Sequence, residues 1–229
     1  MCWQRWSFKS IDGGWIDETF VEEARATMDP ILWRQEFEAS IESLLGAVYP
    51  EFNKKNIAPT RFNPQERLMF GVDFNRTPFC GCVMQVQGDT ETMASAVRQD
   101  FPNFEILACP DPTGRRLQTS SAMGLSDHAI LKGRGFLVRA PKAPWSIRDK
   151  VAAVRLMIHD ANGHRRLKVD PKCKRVIRSL SNLEYKAGAS VPDPKSDHSH
   201  MADAVGYACI ALAKGLLPYT IGESGFRVV

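Results

Sequence analysis

Two apolar runs in this chain end on an aspartate. Leu68-Met69-Phe70-Gly71-Val72 reads as a buried strand and runs straight into Asp73, and Ile106-Leu107-Ala108-Cys109 leads as abruptly to Asp111. A third aspartate, Asp203, lies near the start of an Ala-rich helical segment, His200 to Lys214. An ionised carboxylate beside a core is costly unless a positive group compensates it. Three such groups at the edges of core elements point to divalent cations as the compensation.

The pattern around them alternates strand and helix signals. Leu68 to Phe74 and Phe79 to Gln87 read as a strand pair joined by Asn75-Arg76-Thr77-Pro78, followed by a helix from Thr90 to Phe101. Asn103 to Cys109 and Phe136 to Arg139 read as strands. Ser146 to His159 reads as a helix with Ile147, Val151, Val154 and Ile158 inward. After the Asn162-Gly163 turn come a strand over Arg166 to Val169 and a helix over Cys173 to Leu183, with Cys173, Val176, Ile177 and Leu180 inward. Lys186 to Ser199 is polar and loop-like. The predicted class is therefore α/β, a mixed sheet flanked by helices.

Residues 1–62 read differently. Asp17 caps one helix, and Asp29-Pro30 opens a second on which Trp33, Phe37, Ile41 and Leu44 recur at helical spacing. Tyr49 to Pro64, with three prolines, reads as an extended linker. Trp3, Trp6, Trp15 and Trp33 all fall in this first segment, more apolar surface than so small a helical piece can bury alone. The division expected is 1–62 as a helical segment and linker, and 63–229 as the α/β domain.

Each acid taken singly has an ordinary explanation: a strand-end turn residue for Asp73, a turn aspartate within Pro110-Asp111-Pro112-Thr113-Gly114, a helix-surface charge for Asp203. Together they form a candidate metal site, with His200 one turn before Asp203 on the same face. Carboxylate oxygens suit Mg²⁺ or Mn²⁺ rather than zinc, and two such ions serve phosphodiester hydrolysis. His198 and His200 lack Cys or His partners at zinc spacing. Asp127-His128 and Asp197 read as caps and loop groups, with an auxiliary ligand role as the alternative, and Gly133-Arg134-Gly135 as a turn. No G-x-x-x-x-G-K-[ST] occurs, so no ATP is expected.

The net charge of +4 is too small to identify a nucleic-acid partner, but its distribution is uneven. Arg165, Arg166, Lys168, Lys172, Lys174, Arg175 and Arg178 crowd one stretch opposed only by Asp170. Such a stretch is either a solvated face or a phosphate-contacting surface for DNA. The six cysteines have no zinc-ribbon spacing and read as small buried hydrophobes in a reducing compartment. No apolar run reaches the roughly 18 residues of a membrane span, and no signal-peptide core is present; the expected place is the cytoplasm.

Val72-Asp73-Phe74-Asn75, Pro110-Asp111-Pro112-Thr113-Gly114 and His200-Met201-Ala202-Asp203-Ala204-Val205-Gly206-Tyr207, in that order, resemble the nuclease domain of tailed-phage large terminase subunits, over about residues 66–215. The basic segment Gly163 to Tyr185, a hairpin and helix by that resemblance, fits between the second and third acids. Trp6-Ser7-Phe8, Gly13-Gly14 and Arg34-Gln35-Glu36-Phe37-Glu38-Ala39 resemble the stretch that closes the motor ATPase domain of the same proteins. The resemblance implies an RNase H-like (RuvC-like) fold and two divalent ions held by Asp73, Asp111 and Asp203. It also implies endonucleolytic cutting of concatemeric double-stranded DNA during genome packaging in the host cytoplasm. Implied partners are a terminase small subunit, a portal, and an ATPase motor that is separate or missing. Two departures stand out: the ATPase core is absent, and only Gly88-Asp89 separate the second strand from the next helix, where a third antiparallel strand is usual. Alternatives are another RNase H-like nuclease, such as a junction resolvase or transposase-type strand cutter, and a non-catalytic DNA- or portal-binding module.

Overall fold

The structure, a computed structural model, describes residues 8–40, 46–60, 68–74, 80–81, 90–116, 125–213 and 226–228. Among them, in chain order, are α1 (Glu18–Thr27), α2 (Pro30–Phe37), β1 (Leu68–Asp73), β2 (Cys80–Gly81), α3 (Thr90–Asp100) and β3 (Ile106–Pro110). There follow α4 (Asp127–Gly133), β4 (Leu137–Val138), α5 (Ile147–Ile158), β5 (Leu167–Val169), α6 (Lys174–Asn182), α7 (Ser199–Ala213) and β6 (Phe226–Val228). Most of the second expected strand, the Gly88-Asp89 connection, Trp3, Trp6, Ile41 and Leu44 lie outside the described residues.

The main sheet has the order β2-β1-β3-β4. β1, β3 and β4 run parallel, and β2 pairs antiparallel on the β1 edge. Side-chain alternation gives the sheet two different faces. Phe70, Val72, Ile106 and Ala108 meet Met93, Ala94 and Val97 of α3 and Leu131 of α4. Met69, Leu107 and Cys109 point the other way, against Ala211 and Leu212 of α7. On the far side of α7, Val205 and Cys209 pack with Val151, Val154 and Met157 of α5 and Val176 and Leu180 of α6. The layers therefore run α3 and α4, sheet, α7, then α5 and α6. Buried on nearly every side, α7 has little freedom to shift.

One glycine makes the sheet–α7 contact possible. A Cβ on Gly71 would lie 2.0 Å from the Ala204 carbonyl oxygen. Only a residue without a side chain lets the helix backbone come so near the strand.

The structure departs from the expected elements in several places. α2 ends at Phe37, although its apolar spacing continues to Leu44; Ala39 takes a left-handed φ of 52°, which stops the helix. Tyr49 to Pro64 is not a loose linker over its described part. Val48, Tyr49 and Phe52 are buried in the main core, and fully buried Asn56 donates from Nδ2 to the carbonyls of Ile158 and Leu167. β5 does not belong to a hairpin after Gly163. It pairs in parallel with β6, a strand that the sequence pattern did not announce, and forms a separate two-stranded sheet. On α5, Ile147 is exposed, while Lys150 and Arg155 are buried. Arg155 is held by the Val48 carbonyl, Asp29 and the Tyr185 hydroxyl, so its charge has partners inside. Cys173 is the N-cap residue of α6 and, as expected, packs partly buried against the main core, while Asp127 and His128 are buried in α4 behind the Ser126 cap.

Asp160 fixes the turn between α5 and β5. Its fully buried carboxylate accepts from the backbone N–H groups of Asn162 and His164, from the His164 ring and from Arg166. Burial pushes its pKa up, but the His164 bonds and the Arg166 guanidinium outweigh that, leaving it below the usual aspartate value. A depressed carboxyl stabilises the fold fully above its unfolded pKa and loses that contribution as pH falls through the folded value. Asp160→Asn is expected to cost about 3 kcal/mol at neutral pH, because Arg166 loses its buried partner. Denaturant titrations should show the gap to wild type narrowing below pH of about 4, where the unfolded carboxyl takes up a proton, and closing further as pH falls through the lower folded value. A gap independent of pH would contradict this account.

Candidate active site

The strand register puts the first two acids side by side. Val72 pairs with Pro110, and the Asp111 N–H donates to the Val72 carbonyl at 3.1 Å, so Asp73 and Asp111 leave neighbouring strand ends together. Both share the parity of Gly71 and Cys109, and alternation turns both toward the face that α7 covers. Asp73 is buried. Asp111 caps a short 3₁₀ turn, Pro112–Arg115, with its carboxylate on the Thr113 N–H and its carbonyl on the His128 ring at 2.9 Å. Gly114 is required in that turn, since a Cβ there would meet the Phe74 ring at 2.3 Å.

α7 supplies the other side. His200, Asp203 and Tyr207 lie one turn apart along it, at the edge facing the two strand ends. His200 Nδ1 bonds Asp73 Oδ2 at 3.1 Å. Tyr207 lies near enough to Asp111 for that carboxylate to raise its pKa. Asp203 accepts a 2.6 Å bond from the Lys150 ammonium of α5. One helix thus reaches both strand-end acids. Asp193 and Asp197 belong to the preceding polar segment; Asp193 caps its own turn through the Lys195 N–H.

The electrostatics are those of a crowded acidic site. Burial pushes the Asp73 pKa up and the Asp203 charge adds to the rise, against the His200 bond and the Lys150 charge. The Asp73 bond raises the His200 pKa, and Asp203 and Asp197 raise it further. Burial and then Asp111 push Tyr207 up, so it remains a neutral donor.

Among the described residues, no three His, Cys, Asp or Glu side chains converge closely enough to hold a metal ion as they stand. Each acid is turned to a protein partner: Asp73 to His200, Asp111 to Thr113, Asp203 to Lys150. The donor chemistry nonetheless fits a hard divalent cation, with oxygen ligands, excess negative charge and an ammonium already drawn in. Lys150 and Tyr207 were missed as site residues. Lys150 stands beside Val151 and four residues before Val154, on the buried side of its helix, and that position was its one signal.

The six basic residues expected at a DNA surface fall into two groups. Arg165 donates to the Glu51 carbonyl and Asn56, Arg166 to Asp160, and Lys168 to the Lys55 carbonyl. Lys172, Lys174 and Arg175, together with Arg178, are exposed around the start of α6 and along it. No helix among the described residues is long and apolar enough to cross a membrane.

These features define a mixed α/β fold: a sheet whose parallel strand ends carry acids, covered by a helix that carries a third. Two crystal forms of the large terminase from a thermophilic bacteriophage are similar to it, with TM-scores of 0.60 and 0.59. Sequence identity is 15% and 14%, and the alignment covers 87% of this chain. The chain spans about half the length of that terminase, 52% and 53% in the two forms. The fold is thus terminase-related. No family model and no curated protein sequence matches the chain.

Proposed function

We propose that the chain is a metal-dependent DNA endonuclease of the phage terminase type, which cuts concatemeric double-stranded DNA into genome units. The observation that carries this reading is the register that sets Asp73 beside Asp111 under the helix bearing Asp203 and His200. Bound there, two Mg²⁺ or Mn²⁺ ions would activate a water and stabilise the leaving oxygen of a phosphodiester. The protein's own part is to place ligands accurately on rigid strand ends and a buried helix. Asp73, Asp111 and Asp203 are the ligands, and His200 orients Asp73 through their shared bond. Residues 63–229 carry this activity, and 1–62 correspond to the end of a motor domain. A terminase small subunit and a portal are the expected partners, in the host cytoplasm.

Supercoiled plasmid tests the reading. Nicked and linear products are expected with Mg²⁺ or Mn²⁺, and none with EDTA. Equal cleavage in EDTA, or none with either ion, would contradict it.

The exposed Lys172, Lys174 and Arg175 are assigned to DNA phosphates, while Arg165, Arg166 and Lys168 brace that surface from within. Reversing the exposed three to glutamate is expected to weaken binding to unrelated sequences alike, because phosphate contacts carry no base information. The slope of log affinity against log salt should fall by about 0.9 for each phosphate that is no longer neutralised. An unchanged slope in filter-binding or fluorescence titrations would return the segment to an ordinary solvated face.

A further inference from the structure

Lys150 is the one lysine that is buried among the described residues, at 7% exposure. It reaches the acids from α5, behind α7, and its stem passes over Gly206. A Cβ placed on Gly206 would stand 3.5 Å from the Lys150 Cβ and 3.8 Å from its Cδ. The ammonium donates to Asp203 Oδ1 at 2.6 Å and sits 4.4 Å from the centroid of the Tyr207 ring. The Lys150 charge is felt at Asp73 as well. One positive charge therefore serves two of the three carboxylates, Asp203 directly and Asp73 at longer range.

The long side chain and the short bond have a cost. Ordering a lysine loses rotamer freedom, and burying its charge is unfavourable without a close anion. Asp203 supplies the anion, and Lys150 in turn lowers the mutual repulsion of the acids. A divalent cation needs the same Asp203 oxygens, and an ammonium 2.6 Å away repels it. The two cations compete for one carboxylate.

We propose that Lys150 is an internal counter-ion that holds the acid cluster together without metal and must release Asp203 before metal binds, so that it sets the metal affinity of the site. This rests on the assignment of the three aspartates as a metal site. Lys150 is a positioning residue here, acting through Asp203 rather than on DNA.

Titration calorimetry with Mn²⁺, on the full chain and without DNA, decides the matter. Lys150→Met keeps much of the stem and removes the charge. It is expected to bind Mn²⁺ about tenfold more tightly than wild type, with a lower melting temperature without metal and a larger rise on adding Mn²⁺. Lys150→Arg keeps the charge and should bind Mn²⁺ with near wild-type affinity. If the Met variant does not fold without metal, millimolar Mn²⁺ should restore its melting transition, and failure to do so overturns the proposal. Wild-type binding with equal or weaker affinity in Lys150→Met overturns the counter-ion role and leaves the metal site standing. Absence of Mn²⁺ binding by wild type overturns both.

Discussion

Asp73→Asn is expected to lose DNA cleavage by about a thousandfold or more while the protein stays folded and still binds DNA. Metal ions contribute several kcal/mol of transition-state stabilisation, and about 4 kcal/mol corresponds to roughly a thousandfold in rate. An amide would remove the charge proposed to hold them. The same change relieves the resting protein. Burial disfavours the charged form of Asp73, and the asparagine oxygen still accepts from His200. The melting temperature without metal should therefore stay level or rise. Loss of activity with undiminished stability separates a functional acid from a structural one. A variant that cuts normally, or that is inactive only because it unfolds, would contradict the assignment. Asp111→Asn is expected to be as inactive as Asp73→Asn.

Gly71→Ala should be the most damaging change outside the acids. Its methyl group would lie 2.0 Å from the Ala204 carbonyl oxygen, which is backbone and cannot rotate away. α7 must then move off the sheet, although α5 and α6 press on its other side. Overpacking a core of this kind costs about 3 kcal/mol. Asp203 is the residue next to Ala204, so any retreat moves a proposed ligand and the His200 partner of Asp73 together. A displacement of about 1 Å is enough to lose about a hundredfold in rate. Melting curves and cleavage assays on the same preparation check both effects. Wild-type values in both would mean that α7 does not need its close seat on β1.

Much of the site was legible because strand alternation is a simple code. An apolar run that ends in aspartate tells which element carries the acid, and parity tells which face it joins. Met69, Gly71 and Asp73 share one face, and Leu107, Cys109 and Asp111 share the matching one. α7 was legible from its alanines and from the spacing of His200 and Asp203. What stayed hidden depends on residues distant in sequence. Lys150 and Arg155 lie on the buried sides of α5 because their partners are Asp203 in one case and Asp29, Val48 and Tyr185 in the other. Helical periodicity instead marks Ile147 as inward, and it is exposed. Tyr49 to Pro64 reads as linker by its three prolines, yet Tyr49 and Phe52, with Val48 just before them, are buried in the core beside α5 and β5, which the local pattern does not reveal. β5 pairs with a strand far later in the chain, and a three-residue strand carries too little pattern to announce its partner.

The most direct test of the central claim is diffraction from Mn²⁺-soaked crystals, recorded where manganese scatters anomalously. The account predicts anomalous peaks between Asp73, Asp111 and Asp203, with Asp203 turned from Lys150 toward the ion, and their disappearance in Asp73→Asn crystals soaked alike. Manganese bound elsewhere on the chain, with these three aspartates still turned to His200, Thr113 and Lys150, would contradict it.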